Sequence, residues 1–164
     1  MPGLEPVLPP LEVVLHRPEI PPNTGNIARL CACTGSRLRL VAPLGFSLDE
    51  SRLKRAGLDY WDKVHVATHQ SFEEVLEEEP GRPLHLFASK GGRPLWETRF
   101  EPGARLVFGS ESVGLPEELL SAHAGRVVTV PMVDGPRSLN LASTVAIALY
   151  EALRQLRGHA ARRC

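Results

Sequence analysis

Apolar residues along the chain fall into short runs separated by stretches with helical spacing. LEVVLH (11–16), LRLVAP (38–43), VHVAT (64–68), LHLFAS (84–89), ARLVFG (104–109) and RVVTVP (126–131) are each five or six residues long. That length, with its β-branched content, predicts strands. Between them TGNIARLCACTG (24–35) predicts a helix closing at Gly35, after a PEIPPN turn in which Asn23 and Asn26 can cap it. DESRLKRAG (49–57) predicts a second helix, with Asp49 or Ser51 as cap. SFEEVLEEE opens a third, with Ser71 and Glu74 at capping-box spacing. PEELLSAH (116–123) starts on a first-turn proline, and the final helix runs from about Asn140 to Arg157. Strand and helix alternating in this rhythm predict an α/β fold, a mostly parallel sheet with helices on both faces.

A chain of 164 residues suffices for one domain. We place it at 11–157, between a Pro-rich tail (1–10) and a C-terminal tail (158–164). A hydrophobic content of 43% excludes a disordered chain. No run approaches the roughly 18–20 apolar residues that span a bilayer. The start, MPGLEPVLPP, lacks the basic and apolar regions of a secretory signal. A cytoplasmic protein without a membrane partner is expected. Formal charge is zero, from 19 basic and 19 acidic residues, which excludes a basic coat over the whole surface but not a local basic patch. Three cations are Lys and the rest Arg, a bias that genome composition can produce, although the Arg fork also suits phosphate. Cys31 and Cys33 point in different directions on a helix, and no CxxC pair occurs. Neither a disulfide nor a metal site is expected.

Three loops that follow predicted strands carry glycine and exposed amides: SKGGRP (89–94), GSESVGLP (109–116) and PMVDGPRSLN (131–140). In open parallel sheets ligands sit beyond the carboxyl ends of the strands, so three such loops at one edge mark that edge. The last loop crowds polar residues at the mouth of an apolar helix, LASTVAIALYEAL. Asn140 is a strong cap, and Ser138 could cap one turn earlier. Small residues around this helix let it pack on more than one side, as a core helix or as one shared with a second subunit. The loop after the first strand, HRPEIPPNTGNIARL (16–30), is stiffened by three prolines and places Arg29 six residues after Asn23.

Taken together, PEIPPNTGNIARLCACTG, LVFGSESVGLP and VPMVDGPRSLNLASTVAIALYEALRQL resemble the three motifs of the SPOUT superfamily of RNA methyltransferases, in its SpoU-like 2′-O-methylating class. SRLKRAGLDYW further resembles a segment of the small branch that acts on cytidine or uridine at the tRNA wobble position. The likeness covers about residues 11–157, in order. It implies a C-terminal deep trefoil knot, a homodimer with composite sites, S-adenosylmethionine as methyl donor with S-adenosylhomocysteine as product, and tRNA as partner. By motif position it implies cofactor contacts from Phe87, Gly109, Val130, Ser138 and Leu139. Phe87 stands where the class often has Leu, which a largely backbone contact tolerates. The same matching implies catalytic duties for Asn23, Arg29, Glu111, Ser138 and Asn140.

A ribose 2′-hydroxyl is a poor nucleophile and needs its developing charge stabilised. Guanidinium is effectively never deprotonated, so Arg29 is expected to act as an electrostatic clamp while the proton leaves through substrate phosphate or water. Asn23 would fix the ribose. Glu111 would organise its loop or position Arg29, unless it makes only a loop hydrogen bond. For RNA, Arg17, Arg52, Lys54 and Arg55, followed by Tyr60 and Trp61, form the best basic and aromatic cluster. Tyr150 joins them from the last helix, at a position that also suits a subunit interface. Two rival readings are a serine hydrolase using Ser112 with Asp134 and His159, and a non-catalytic RNA- or nucleotide-binding module. A third stays within the class: methylation of ribosomal RNA or of another tRNA position.

Overall fold

The computed structural model describes residues 5–47, 63–135 and 137–160. The predicted helix at 49–57, with Arg52, Lys54, Arg55, Tyr60 and Trp61, lies outside the described residues. In chain order the elements are β1 (Glu12–His16), α1 (Pro21–Thr34), β2 (Arg37–Val41), β3 (Val66–His69), α2 (Phe72–Glu78) and β4 (Leu84–Phe87). They continue with β5 (Arg93–Pro94), β6 (Arg105–Phe108), α3 (Glu117–Ala122), β7 (Val127–Thr129) and α4 (Leu141–Ala160). Short 3-10 turns at Leu95–Glu97 and Ala124–Arg126 follow β5 and precede β7.

The seven strands form one sheet in the order β3-β2-β1-β6-β4-β7-β5, and every ladder is parallel. Alternation inside the strands sorts the core into two layers. Val13, Leu15, Leu38, Leu40, Leu106 and Phe108 face one side, where they pack with Ile27, Ala28 and Cys31 of α1 and Val145, Ala148, Leu149 and Ala152 of α4. Val14, Val41, Leu86 and Val107 face the other, against Phe72 and Val75 of α2, with Leu119 and Leu120 of α3 partly buried there. A parallel sheet buried on both faces is what near-continuous apolar strands require. Cys31 belongs to this packing: burial pushes its thiol up to about 12. The Pro-rich stretch ahead of β1 lies against the body as far back as residue 5. Val7 packs on the first core layer, and the carbonyls of Glu5 and Pro10 accept from Arg157 at 2.7 Å and Arg82 at 3.0 Å.

Helix ends explain two departures from the spacing argument. α1 starts at Pro21, because a proline pair suits the first turn where N–H groups have no helical partner. Its N-cap is Ile20, which offers no side-chain bond, so Asn23 and Asn26 lie inside the helix and do not cap it. At its other end the helix closes at Gly35, φ 68°, in the left-handed region. Ser71 caps α2 as its spacing predicts, accepting from the N–H of Glu74 at 3.3 Å. The predicted loop at 89–94 contains an unpredicted strand, β5, paired with β7.

At the amino ends of the strands the sheet is shut by charge. Glu12, fully buried, accepts from Arg105 Nε at 2.8 Å and Arg39 Nη2 at 3.0 Å, with Arg37 Nη1 at 3.5 Å. Burial works to raise its pKa, but the hydrogen bonds from Arg105 and Arg39 and the charges of Arg39 and Arg82 prevail and hold the carboxyl below its usual range.

Candidate active site

At the opposite edge of the sheet, the segments after β1, β4, β6 and β7 surround a cavity of about 520 Å³. This is within the ordinary range of small-ligand sites, and its position beyond the carboxyl ends of parallel strands is the expected one. Asn23, Phe87, Gly109, Glu111, Val130, Ser138, Leu139 and Asn140 all line it.

The walls are stitched together by two carboxylates that reach across in opposite directions. Glu111, on the turn after β6, accepts from the backbone N–H of Glu19 at 2.8 Å and of Ile20 at 3.1 Å, and from Asn23 Nδ2 at 3.2 Å. Glu19 in return accepts from Ser112 through its N–H at 3.0 Å and its hydroxyl at 2.7 Å. Glu111 therefore supplies from another loop the anionic partner that the start of α1 lacks locally, where the helix dipole favours negative charge. Asn23 passes the chain of bonds on: its Oδ1 accepts from Asn140 Nδ2 at 3.1 Å. Asn140 Oδ1 accepts from the N–H of Ser143 at 3.2 Å and so caps α4. The polar crowd at the mouth of the last helix is thus both a cap and one end of a network that joins the segments after β1, β6 and β7.

The β6 turn is itself very tight. The N–H of Gly114, φ 74°, donates to the carbonyl of Ser110 at 2.9 Å. A Cβ placed on Gly109 would sit 2.0 Å from the carbonyl carbon of Gly114, so Gly109 is required by the turn closing on itself. Phe87 is 6% exposed, and its ring stacks on Phe108 with centroids 4.5 Å apart. That leaves mainly its backbone to face the cavity. The Ser110 hydroxyl is buried in the wall without a hydrogen-bond partner among the described residues.

Other predicted residues fall elsewhere. Arg29 is exposed on α1 and does not line the cavity of its own chain. Tyr150 is 49% exposed on α4. Arg17 is exposed beyond the end of β1, in a left-handed backbone conformation, φ 56°. Ser112 has its hydroxyl engaged by the Glu19 carboxylate, an arrangement that ties loops and does not activate a nucleophile. Sequence reasoning did not single out Glu19 or Ser110. For Glu19 a signal existed, since it is the one charged residue inside the PEIPPN turn. Among the described residues no group of three or more His, Cys, Asp or Glu side chains could hold a metal ion, and no helix is long and apolar enough to cross a membrane.

The parallel sheet, and a carboxyl-edge cavity lined by Asn23, Glu111, Ser138 and Asn140 with Arg29 outside it, agree with what resemblance to a SpoU-type methyltransferase implies for the fold and for these four residues. The chain belongs to the SpoU rRNA Methylase family, whose model matches residues 10–150. It is 45% identical to the tRNA (cytidine(34)-2′-O)-methyltransferase of Escherichia coli K12, over 89% of this chain and 94% of that one. It resembles, with a TM-score of 0.84 and 49% identity over 90% of this chain and 97% of the other, a solved structure addressing the 2′-OH methylation of C/U34 on tRNA. An AdoMet-bound rRNA methyltransferase from Sinorhizobium meliloti is more distant, at TM-score 0.74 and 27% identity, over 90% of this chain and 57% of that one.

Proposed function

We propose that the chain is an S-adenosylmethionine-dependent RNA 2′-O-methyltransferase acting on the ribose of the wobble nucleotide in tRNA anticodon loops. The observation that carries this reading is the meeting of Asn23, Glu111 and Asn140, from three distant motifs, in one bonded network on one cavity. The near full-length likeness to wobble-position tRNA methyltransferases supports the choice of substrate.

The cavity fits the cofactor on three counts. It has the volume of a small-ligand site, it mixes apolar walls with amide-rich turns, and it holds a buried Ser110 hydroxyl that lacks a partner among the described residues. Phe87, Gly109, Val130, Ser138 and Leu139 would hold it. When bound, S-adenosylmethionine supplies a methyl group on a sulfonium that departs as a neutral thioether. The protein's part is to position the ribose and stabilise its oxyanion. Asn23, held by Glu111 and Asn140, presents a fixed amide beside the cavity for the ribose. Ser138 and Asn140 shape the entrance of α4.

Arg29 supplies the positive charge, and it does so in the cavity of a second copy of this chain. Its exposed place on α1 supports that assignment, as does the packing of α1 beside α4, whose outer side exposes Ile147 and Tyr150. Guanidinium stabilises the oxyanion without accepting its proton, which leaves through phosphate or water. The same reading assigns 11–157 as the methyltransferase domain. It expects a deep trefoil knot, supported by the strand order β1-β6-β4-β7, which carries the chain back past its earlier segments. The test is to incubate the protein with total tRNA and labelled cofactor and map the methylated riboses. Label confined to wobble nucleotides is expected; label elsewhere, or none, overturns the reading.

A further inference from the structure

A second cavity, of about 360 Å³, lies at the same edge of the sheet, on the α2 and α3 side. The two are lined by neighbouring stretches of chain. Gly114 lines the first cavity and Pro116 the second, and Ile20 lines the first and Arg17 the second. Chain geometry limits the separation of the two proline-loop positions to about 10 Å and of the two turn positions to about 7 Å. Glu19, which falls between Arg17 and Ile20 in sequence, is tied to Ser112, and Ser112 lines the first cavity.

We propose that this second cavity is a nucleobase subsite, which takes the base next to the methylated nucleotide in the same RNA strand. The inference rests on the methyltransferase reading above. The lining suits a flat heteroaromatic ring. Phe72, which meets His123 edge-on at 6.4 Å between centroids, joins Leu76 and Leu119 in an apolar wall. Gln70 and Ser71 offer hydrogen-bonding groups. Charge points to a base in preference to a lone phosphate. Arg17 is opposed by Glu73 and Glu118 in the same lining, which disfavours an isolated anion but suits the mixed donors and acceptors of a base edge. The backbone of Arg17 is fixed in a costly conformation, φ 56°, and its N–H donates to the Val41 carbonyl at 2.9 Å. Strain of this kind at a non-glycine residue clusters at ligand sites. A base seated here would be splayed from its neighbour, the usual way in which single-stranded RNA loops are read.

The test pairs a filled cavity with a missing base. Ala122 lines the cavity from an exposed position, so Ala122→Phe should occupy it without touching the core; Gln70→Ala, also exposed, is the second variant. Substrates are an intact anticodon stem-loop and versions abasic at each nucleotide flanking the methylated one. For the wild type, one abasic substitution should raise KM about tenfold, in keeping with loss of one stacked base. In Ala122→Phe the intact RNA should show the same rise and the abasic RNA no further one, because the two losses are one interaction. Gln70→Ala should repeat the pattern in weaker form. If the wild type methylates intact and abasic loops alike, or the variants weaken both substrates equally, the subsite is overturned while the methyltransferase reading stands. If the wild type methylates no RNA, both fall.

Discussion

The two edges of the sheet are each organised around a glutamate, and the difference between them separates stability from function. At the amino edge, Glu12 is fully buried and bonded to guanidinium groups on β2 and β6, the strands on either side of its own. Its partners are full charges, they come from the sheet itself, and the result is a closed floor. At the carboxyl edge, Glu111 bonds to two backbone amides of the loop after β1 and to one neutral side chain in the first turn of α1. Its partners are dipoles, they belong to segments that have no ladder to hold them, and the result is an open cavity. A carboxylate that joins strands makes a foundation. One that joins loops makes a site.

Breaking the floor should produce the largest change. Glu12→Ala removes the carboxylate that buried Arg105 pairs with and leaves Arg39 only Glu78, at 2.7 Å, and Glu79, at 3.9 Å; it should cost about 3–5 kcal/mol of folding free energy. The molecules that stay folded should keep wild-type kcat, read by denaturant titration beside single-turnover transfer. A strong loss of kcat at full stability would erase the distinction between the edges.

Arg29→Ala tests the open edge. Transfer should drop about 10²–10³-fold, as for loss of one preorganised group at an oxyanion, with cofactor affinity nearly unchanged. Mixing this variant with Asn140→Ala should restore about a quarter of wild-type activity, since half the dimers then hold one intact composite site. No recovery would place Arg29 in its own chain's chemistry.

Glu111→Ala should fall between structure and chemistry. Loss of its charge-assisted bonds should cost about 1–3 kcal/mol locally, seen as faster amide exchange at Glu19 and Ile20 and a reduced kcat/KM. An unchanged exchange pattern would show that the loops hold each other without it.

The smallest effect is the pH dependence. Burial first, and then the Arg17 charge, lower the pKa of His16; burial lowers that of His85 despite Glu101. Both histidines are favoured neutral in the fold, so the stability they contribute is present above about 6.5 and is lost as pH falls below it. Glu12 has the same sign lower down: its depressed pKa gives stability that is present above the unfolded value and lost as pH falls towards the folded one. A melting temperature that starts to fall near pH 6.5 and falls again below about 4.5 is expected. Flat behaviour from pH 7 to 5 would deny the histidines this role.

These edges also differ in how far the sequence revealed them. The strands were legible because a sheet buried on both faces leaves runs such as LEVVLH and ARLVFG with few polar interruptions. The interruptions themselves, Glu12, Arg39 and Arg105, looked like ordinary alternation, because pairing across strands far apart in sequence leaves no local pattern. β5 was illegible for a similar reason: Arg93 and Pro94 have no strand propensity, and β7 makes them a strand. The cavity residues were legible through their motifs, but what holds them was not. Asn23 and Asn26 had the chemistry of caps, yet the carboxylate that holds the N-cap residue Ile20 comes from residue 111, more than ninety positions away, which no window of local sequence contains.

That remote carboxylate has a consequence for the proposed dimer. Glu111 borders one pocket and steadies the start of the helix that carries Arg29. In such a dimer each subunit would set the aim of a tool used next door, and wear in the turn after β6 would be felt first by the other half of the pair.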